Sequence, residues 1–200
     1  MTTTVSAKDV AALRARMGAG MMDCRNALVE TGGDMEKAVD LLRAKGIARA
    51  EKRAGRGASE GAIASYVHFN GRVGVLVEVN CETDFVARTD DFQGLARDLA
   101  LHIASADPIA VSVEDVAADV VERERAIFRA QAAESGKPEA IWEKMVEGKL
   151  KKFYQERVLL EQPFVKDDKQ TVGQLVKAVS GKVGENVVVR RFVRFGLGES

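Results

Sequence analysis

Cysteine is scarce. The 200 residues contain two, Cys24 and Cys81, far apart and in no CxxC pairing. That excludes a disulfide framework and makes a reducing cytoplasm the simplest home. Net charge is also missing: 30 basic and 30 acidic residues cancel, so no global field draws the chain to nucleic acid or an anionic membrane. No apolar run approaches the ~20 residues needed to cross a bilayer. The stretch from Met1 to Asp9 is polar and lacks a signal peptide's apolar core. What is present is ordinary for a soluble globular protein: 46% apolar residues and length for one domain, or one domain plus a small module.

Catalytic constellations are absent as well. His68 and His102 stand alone. His102 falls inside an amphipathic helical pattern and reads as a tolerated surface or core histidine rather than a base. Cys81 sits beside Glu82 and near Asp84, acidic neighbours that raise a thiol's pKa and dull it as a nucleophile. There is no HExxH, no GxSxG and no Walker-type phosphate loop. Gly55, Gly57 and Gly61 have the reversed order for a dinucleotide fingerprint, which needs a strand before its glycines and a helix after them. The chain is therefore expected not to be an enzyme, and no cofactor or metal ligand set is assigned.

The first 46 residues read as three short helices. Ser6 and Asp9 fit a capping box, and Val5 is placed to staple onto Val10. Val10, Leu13 and Met17 recur at helical spacing, and Gly18 and Gly20 stop that helix. Cys24, Ala27 and Leu28 share a face of the second, which ends at Gly32-Gly33. Asp34 caps the third, with Met35, Ala38, Val39 and Leu42 inward and Gly46 at its end. A core this small is marginal alone. Lys45, Arg49, Lys52, Arg53 and Arg56 then form a basic helix tail running into a linker, 47–60. With no aromatics interleaved for base stacking, they read as a solvated face rather than an RNA site.

From Gly61 the period changes to two. Ile63–Phe69, the Asn70-Gly71 pair and Arg72–Val79 give a hairpin signal, with Val73, Val75, Val77 and Val79 alternating. With a two-residue turn, Tyr66 and His68 share their face. Asn80–Arg88 leaves that strand and enters a helix whose face is Phe92, Leu95, Ala96, Leu99 and Ile103. The turn between carries Phe85 and Val86 among charges, which suits either a loop core or a partner anchor. Val113–Glu134 and a helix begun by Lys137-Pro138-Glu139 follow. Ile141, Trp142, Met145, Phe153, Val158 and Leu159 supply the apolar positions of the latter, and Gln162-Pro163 ends it. A short extended Phe164-Val165, a helix over Thr171–Val179 and a terminal strand over Asn186–Phe195 complete the chain. Alternation places Val187, Val189, Arg191, Val193 and Phe195 on one side. The fold expected is α+β: a three-helix module at 1–46, then, over 61–200, a core with a small antiparallel sheet of about three strands packed with helices.

Three ordered runs carry a family resemblance. Met17-Gly-Ala-Gly-Met-Met-Asp-Cys-Arg-Asn-Ala-Leu28, with Gly32-Gly-Asp34 and Leu42-Arg-Ala-Lys-Gly46, resembles the N-terminal signature of elongation factor Ts. Val77-Glu-Val-Asn-Cys-Glu-Thr-Asp-Phe-Val-Ala-Arg88 resembles its second signature, and Leu160-Glu-Gln-Pro-Phe-Val-Lys-Asp167 a third. The resemblance spans essentially the whole chain; Met17 stands where the family's pattern leads one to expect threonine. It implies a guanine nucleotide exchange factor that makes elongation factor Tu release GDP. It implies that the helical module, similar to a ubiquitin-associated (UBA-like) fold, docks on Tu's nucleotide-binding domain through Met17, Gly18, Ala19, Gly20, Met21, Met22 and Asp23. It makes Thr83, Asp84, Phe85 and Val86 the wedge that disturbs the Mg²⁺ and phosphate side of Tu's nucleotide site. The single core repeat resembles the short form of the family, in which two chains pair, so a homodimer without disulfides is expected. Two rival readings, an adaptor for ubiquitin-like or nascent chains and an RNA- or ribosome-binding protein, leave the Asn80–Arg88 run unexplained or clash with the zero net charge.

Overall fold

A computed structural model describes residues 5–199; the part of the polar N-terminal stretch at 1–4, and residue 200, lie outside the described residues. In chain order the elements are α1 (Ala7–Met17), α2 (Met21–Glu30), α3 (Met35–Glu51), β1 (Glu60–Val67), β2 (Val73–Cys81), α4 (Asp84–Ala87), α5 (Asp90–Ala106), α6 (Ala118–Glu134), α7 (Trp142–Arg157), β3 (Pro163–Phe164), β4 (Asp167–Thr171), α8 (Val172–Val183) and β5 (Val188–Gly196). The protein is α+β, with three N-terminal helices and a core whose small antiparallel sheet runs β1-β2-β5. The chain divides into two compact units. The first comprises residues 5–61, Asn80–Leu95 and Val176–Val188; the second comprises Ala62–Val79, Ala96–Leu175 and 189–199.

In the first unit the three helices begin and end where their caps dictate. The Ser6 hydroxyl accepts the Asp9 amide, and the Asp34 carboxylate accepts that of Lys37, each satisfying a donor that the helix leaves orphaned. Gly18 closes α1 at φ 63°, a left-handed position that glycine takes without penalty. Val10, Leu13, Cys24, Ala27, Leu28, Ala38, Val39 and Leu42 form one buried cluster, with Val5 and Met17 packed at its edge. Arg16 and Glu36 add a bidentate pair between α1 and α3. Gly46 does not end the third helix. α3 continues to Glu51, because its face stays occupied: a Cβ added at Gly181 of α8 would lie 2.6 Å from the Gly46 carbonyl oxygen, so the two backbones touch. A glycine with packing on it is tolerated inside a helix.

In the second unit Val75, Val77 and Val79 are buried as their alternation requires. The hairpin is not a two-residue turn. His68 donates its amide to the Val73 carbonyl, leaving residues 69–72 as the loop, and the Asn70 side chain spends itself on the Arg72 amide, an Asx turn that competes with the tighter hairpin. Tyr66 and His68 nevertheless share a half-buried face and hydrogen-bond at 2.9 Å. With Val73 they line a cavity of about 330 Å³ against Leu101 and Ala104 of α5. The opposite sheet face exposes Ile63, Val67 and Leu76, with Val193 and Phe195 of β5. Val189 is buried, so it does not share their environment.

Three further differences from the sequence reading follow from local geometry. The helix expected from Val113 begins with a 3-10 turn at Val113–Asp115, closed by a Ser112–Asp115 capping box, before α6 starts at Ala118. α7 stops at Arg157, since Val158 turns extended and bridges Ala110. The segment around Phe164 is not one extended piece but two short strands, β3 and β4, paired antiparallel. His102 is buried among these elements. Its Nδ1 accepts the Val165 amide at 3.2 Å and its Nε2 lies 2.9 Å from Gln162 Oε1, which assigns the proton to Nε2. Gln162 in turn donates to the Ala106 and Glu156 carbonyls.

Candidate functional site

The turn Thr83–Val86 lies in the first unit and is built by short-range chemistry. Thr83 caps the single turn α4, its hydroxyl accepting the Val86 amide at 3.4 Å. Asp84 pairs with Arg88 one turn on, at 2.7 Å. The Cys81 thiol, wholly buried, donates to the Thr83 carbonyl at 3.1 Å. Burial pushes that thiol's pKa up, and the acidic neighbours that add to the effect are Glu185 and, more weakly, Glu60 rather than Glu82 or Asp84. Thr89 and Gln93 tie down the carbonyls of Val86 and Ala87. On this fixed turn Phe85 is 79% exposed. It is therefore not a loop-core residue; a ring held in water by a fixed backbone has no folding role that accounts for it.

A second bracket comes from far along the chain. Glu185 accepts the Glu82 amide at 3.1 Å, the Thr83 amide at 3.0 Å and the Thr83 hydroxyl at 2.6 Å. Glu82 replies by accepting the Asn186 amide at 2.7 Å. The Asn186 side chain donates to the Arg56 carbonyl at 2.7 Å and reaches that of Ala54 at 3.5 Å. Sequence reasoning missed Glu185 and Asn186. The Gly184-Glu185-Asn186 step between a helix and a strand marks a turn, but nothing local says what its side chains reach.

The second candidate segment, Met17–Asp23, links α1 to α2 in the same unit. Met21 and Met22 are 50% and 62% exposed. Asp23 makes a bidentate pair with Arg49, both bonds 3.0 Å, and that hydrogen-bonded guanidinium holds its carboxyl below the usual carboxylate range. Arg49, first read as part of a solvated basic run, thus fixes the start of α2. Met17, Gly18, Ala19 and Gly20 line a cleft of about 150 Å³ whose far wall includes Gly181 and Lys182. The Lys182 stem occupies the place a Cβ on residue 18 would need, and its ammonium reaches Asp91 at 2.5 Å. Both candidate segments are thus anchored on one stretch, 181–186. Among the described residues no group of three or more His, Cys, Asp or Glu side chains is arranged to hold a metal ion, and no helix is long and apolar enough to cross a membrane.

The family model described as elongation factor TS matches residues 45–199. The chain is also 59% identical over 195 residues to elongation factor Ts of Desulforamulus reducens, covering 98% of this chain and 90% of that protein. The chain belongs to the elongation factor Ts family. Elongation factor Ts of Geobacter metallireducens is 57% identical over 196 residues, covering 98% and 91%. That of Syntrophobacter fumaroxidans is 53% identical over 198 residues, covering 99% of both chains. The similarity to these relatives thus extends over nearly the whole of this chain.

Proposed function

We propose that this protein is a guanine nucleotide exchange factor for elongation factor Tu, acting in the cytoplasm and consuming nothing itself. It binds Tu·GDP and sets Thr83, Asp84, Phe85 and Val86 against the Mg²⁺ and phosphate side of the nucleotide site. Mg²⁺ demands near-ideal octahedral geometry and keeps few protein ligands, so a small displacement loosens metal and GDP together, after which GTP enters. The observation that carries this reading is Phe85, 79% exposed on a turn whose backbone is tied down on every side.

The helices of residues 1–46 serve as a UBA-like docking module, with 47–60 as the linker and 61–200 as the core and pairing domain. Met17, Gly18, Ala19, Gly20, Met21, Met22 and Asp23 meet Tu's nucleotide-binding domain, the exposed methionines adapting to its surface. Two copies pair without a disulfide. The apolar sheet face of Ile63, Leu76, Val193 and Phe195 supports this, since an open antiparallel face is ordinarily polar and a two-fold copy covers it.

Exchange by this route is reciprocal: the factor by which the protein weakens GDP binding is the factor by which GDP weakens its own binding. A complex with nucleotide-free Tu, isolated by gel filtration, should come apart on adding excess GDP. A complex indifferent to GDP would contradict the proposal.

A further inference from the structure

The Glu185 carboxylate takes three hydrogen bonds from a turn about a hundred residues away in sequence, and it is where the wedge reading acquires a part that its own residues do not contain. An ionised carboxylate bonded to two backbone amides and a hydroxyl is a strong, directional clamp. The amides of Glu82 and Thr83 and the hydroxyl of Thr83 converge on its two oxygens at 2.6–3.1 Å. The clamp is itself braced. Glu82 holds the neighbouring Asn186 amide, Asn186 holds the linker carbonyl of Arg56, and the Ser180 hydroxyl donates to the Glu185 carbonyl at 2.5 Å. Phe85 follows Thr83 by two residues and has little packing of its own, being 79% exposed. Its direction is therefore set by the backbone at Thr83.

We infer that Glu185 is a positioning residue for nucleotide exchange: it fixes the backbone of Glu82 and Thr83 so that Phe85 meets its target already oriented. The inference rests on the exchange-factor reading above. Orientation matters because displacement of about 1 Å at a reacting centre commonly costs on the order of a hundredfold in rate. Glu185 need touch neither Tu nor nucleotide to exert this. It also distinguishes the 181–186 stretch from a passive support: removing its carboxylate should slow release at saturation more than it weakens docking through Met17–Asp23.

The test is Glu185→Gln, which keeps the size but turns an amide NH₂ toward donors. With fluorescent GDP on Tu, the maximal release rate at saturating protein is expected to fall by about tenfold to a hundredfold, while the half-saturating concentration moves by less. In a Phe85→Ala background the same substitution should cost nothing further, because Glu185 acts through that ring. Glu185→Asp, which keeps the charge but shortens the reach to the Glu82 and Thr83 donors, gives a smaller loss of the same kind should Glu185→Gln fold poorly. Leu150→Ala, a core truncation in α7, serves as a control for stability alone, with release per folded molecule unchanged. Amide hydrogen exchange at Glu82 and Thr83 should quicken in Glu185→Gln whatever Tu does. Unchanged release per folded molecule in Glu185→Gln, or losses that multiply with Phe85→Ala, overturns the inference and leaves the exchange reading standing. A wild-type protein that releases no GDP overturns both.

Discussion

Replacing Phe85 by alanine separates an interface ring from a core ring by magnitude. A fully covered phenylalanine buries about 150–250 Å². At 79% exposure only about a fifth of that is covered here, so at ~25 cal/mol per Å² truncation costs about 1 kcal/mol of folding stability. For a chain of this length that is a fall of roughly 2–4 °C in melting temperature. A ring packed in the core would cost about 3–5 kcal/mol. On the partner's surface the reverse holds: an anchor residue is worth ~2 kcal/mol or more, which is about a thirtyfold loss in exchange efficiency at ~1.4 kcal/mol per decade. The assay pairs thermal melting with release of fluorescent GDP from Tu on the same preparation. A large fall in melting temperature with normal release per folded molecule would refute the reasoning.

Three other outcomes follow. His102 titrates from 6.5 downward because burial disfavours its charged form. The folded state thus binds fewer protons than the unfolded chain, and stability should be lost as pH falls below about 6.5, by up to ~1.4 kcal/mol per pH unit; chemical denaturation across pH 5–7 should show this slope, flattened in His102→Gln. Gly181→Ala meets the Gly46 backbone and should destabilise by about 1–3 kcal/mol, whereas Gly46→Ala has open space for its Cβ and should gain roughly 0.5–1 kcal/mol inside α3, both read by melting. Sedimentation in reducing buffer should give a dimer; a compact monomer at micromolar concentration that still promotes exchange would remove the pairing claim.

The local devices of the fold were legible in the sequence. Ser6, Asp34 and Gly18 act within four residues of themselves, and the valines of β2 and the Phe92–Ile103 face are simple periodicities, so pattern was enough. The misreadings arose where a distant contact decided the outcome. α3 runs past Gly46 because Gly181 packs on it, and α7 ends at Arg157 because Val158 bridges Ala110. Asn70-Gly71 failed as a two-residue turn because the Asn70 side chain had a closer backbone donor in Arg72. For the candidate site, the runs Met17–Leu28 and Val77–Arg88 supplied the candidate segments by resemblance alone. They could not say that Phe85 stands in water, nor that the carboxylate holding its turn lies at residue 185. A triple hydrogen bond across a hundred residues leaves no spacing to read.

The central claim is tested most directly by stopped-flow displacement of fluorescent GDP from Tu at increasing concentrations of this protein. The account predicts a release rate that climbs and saturates, with substoichiometric protein turning over repeatedly. A release rate equal to the spontaneous one at every concentration would contradict it.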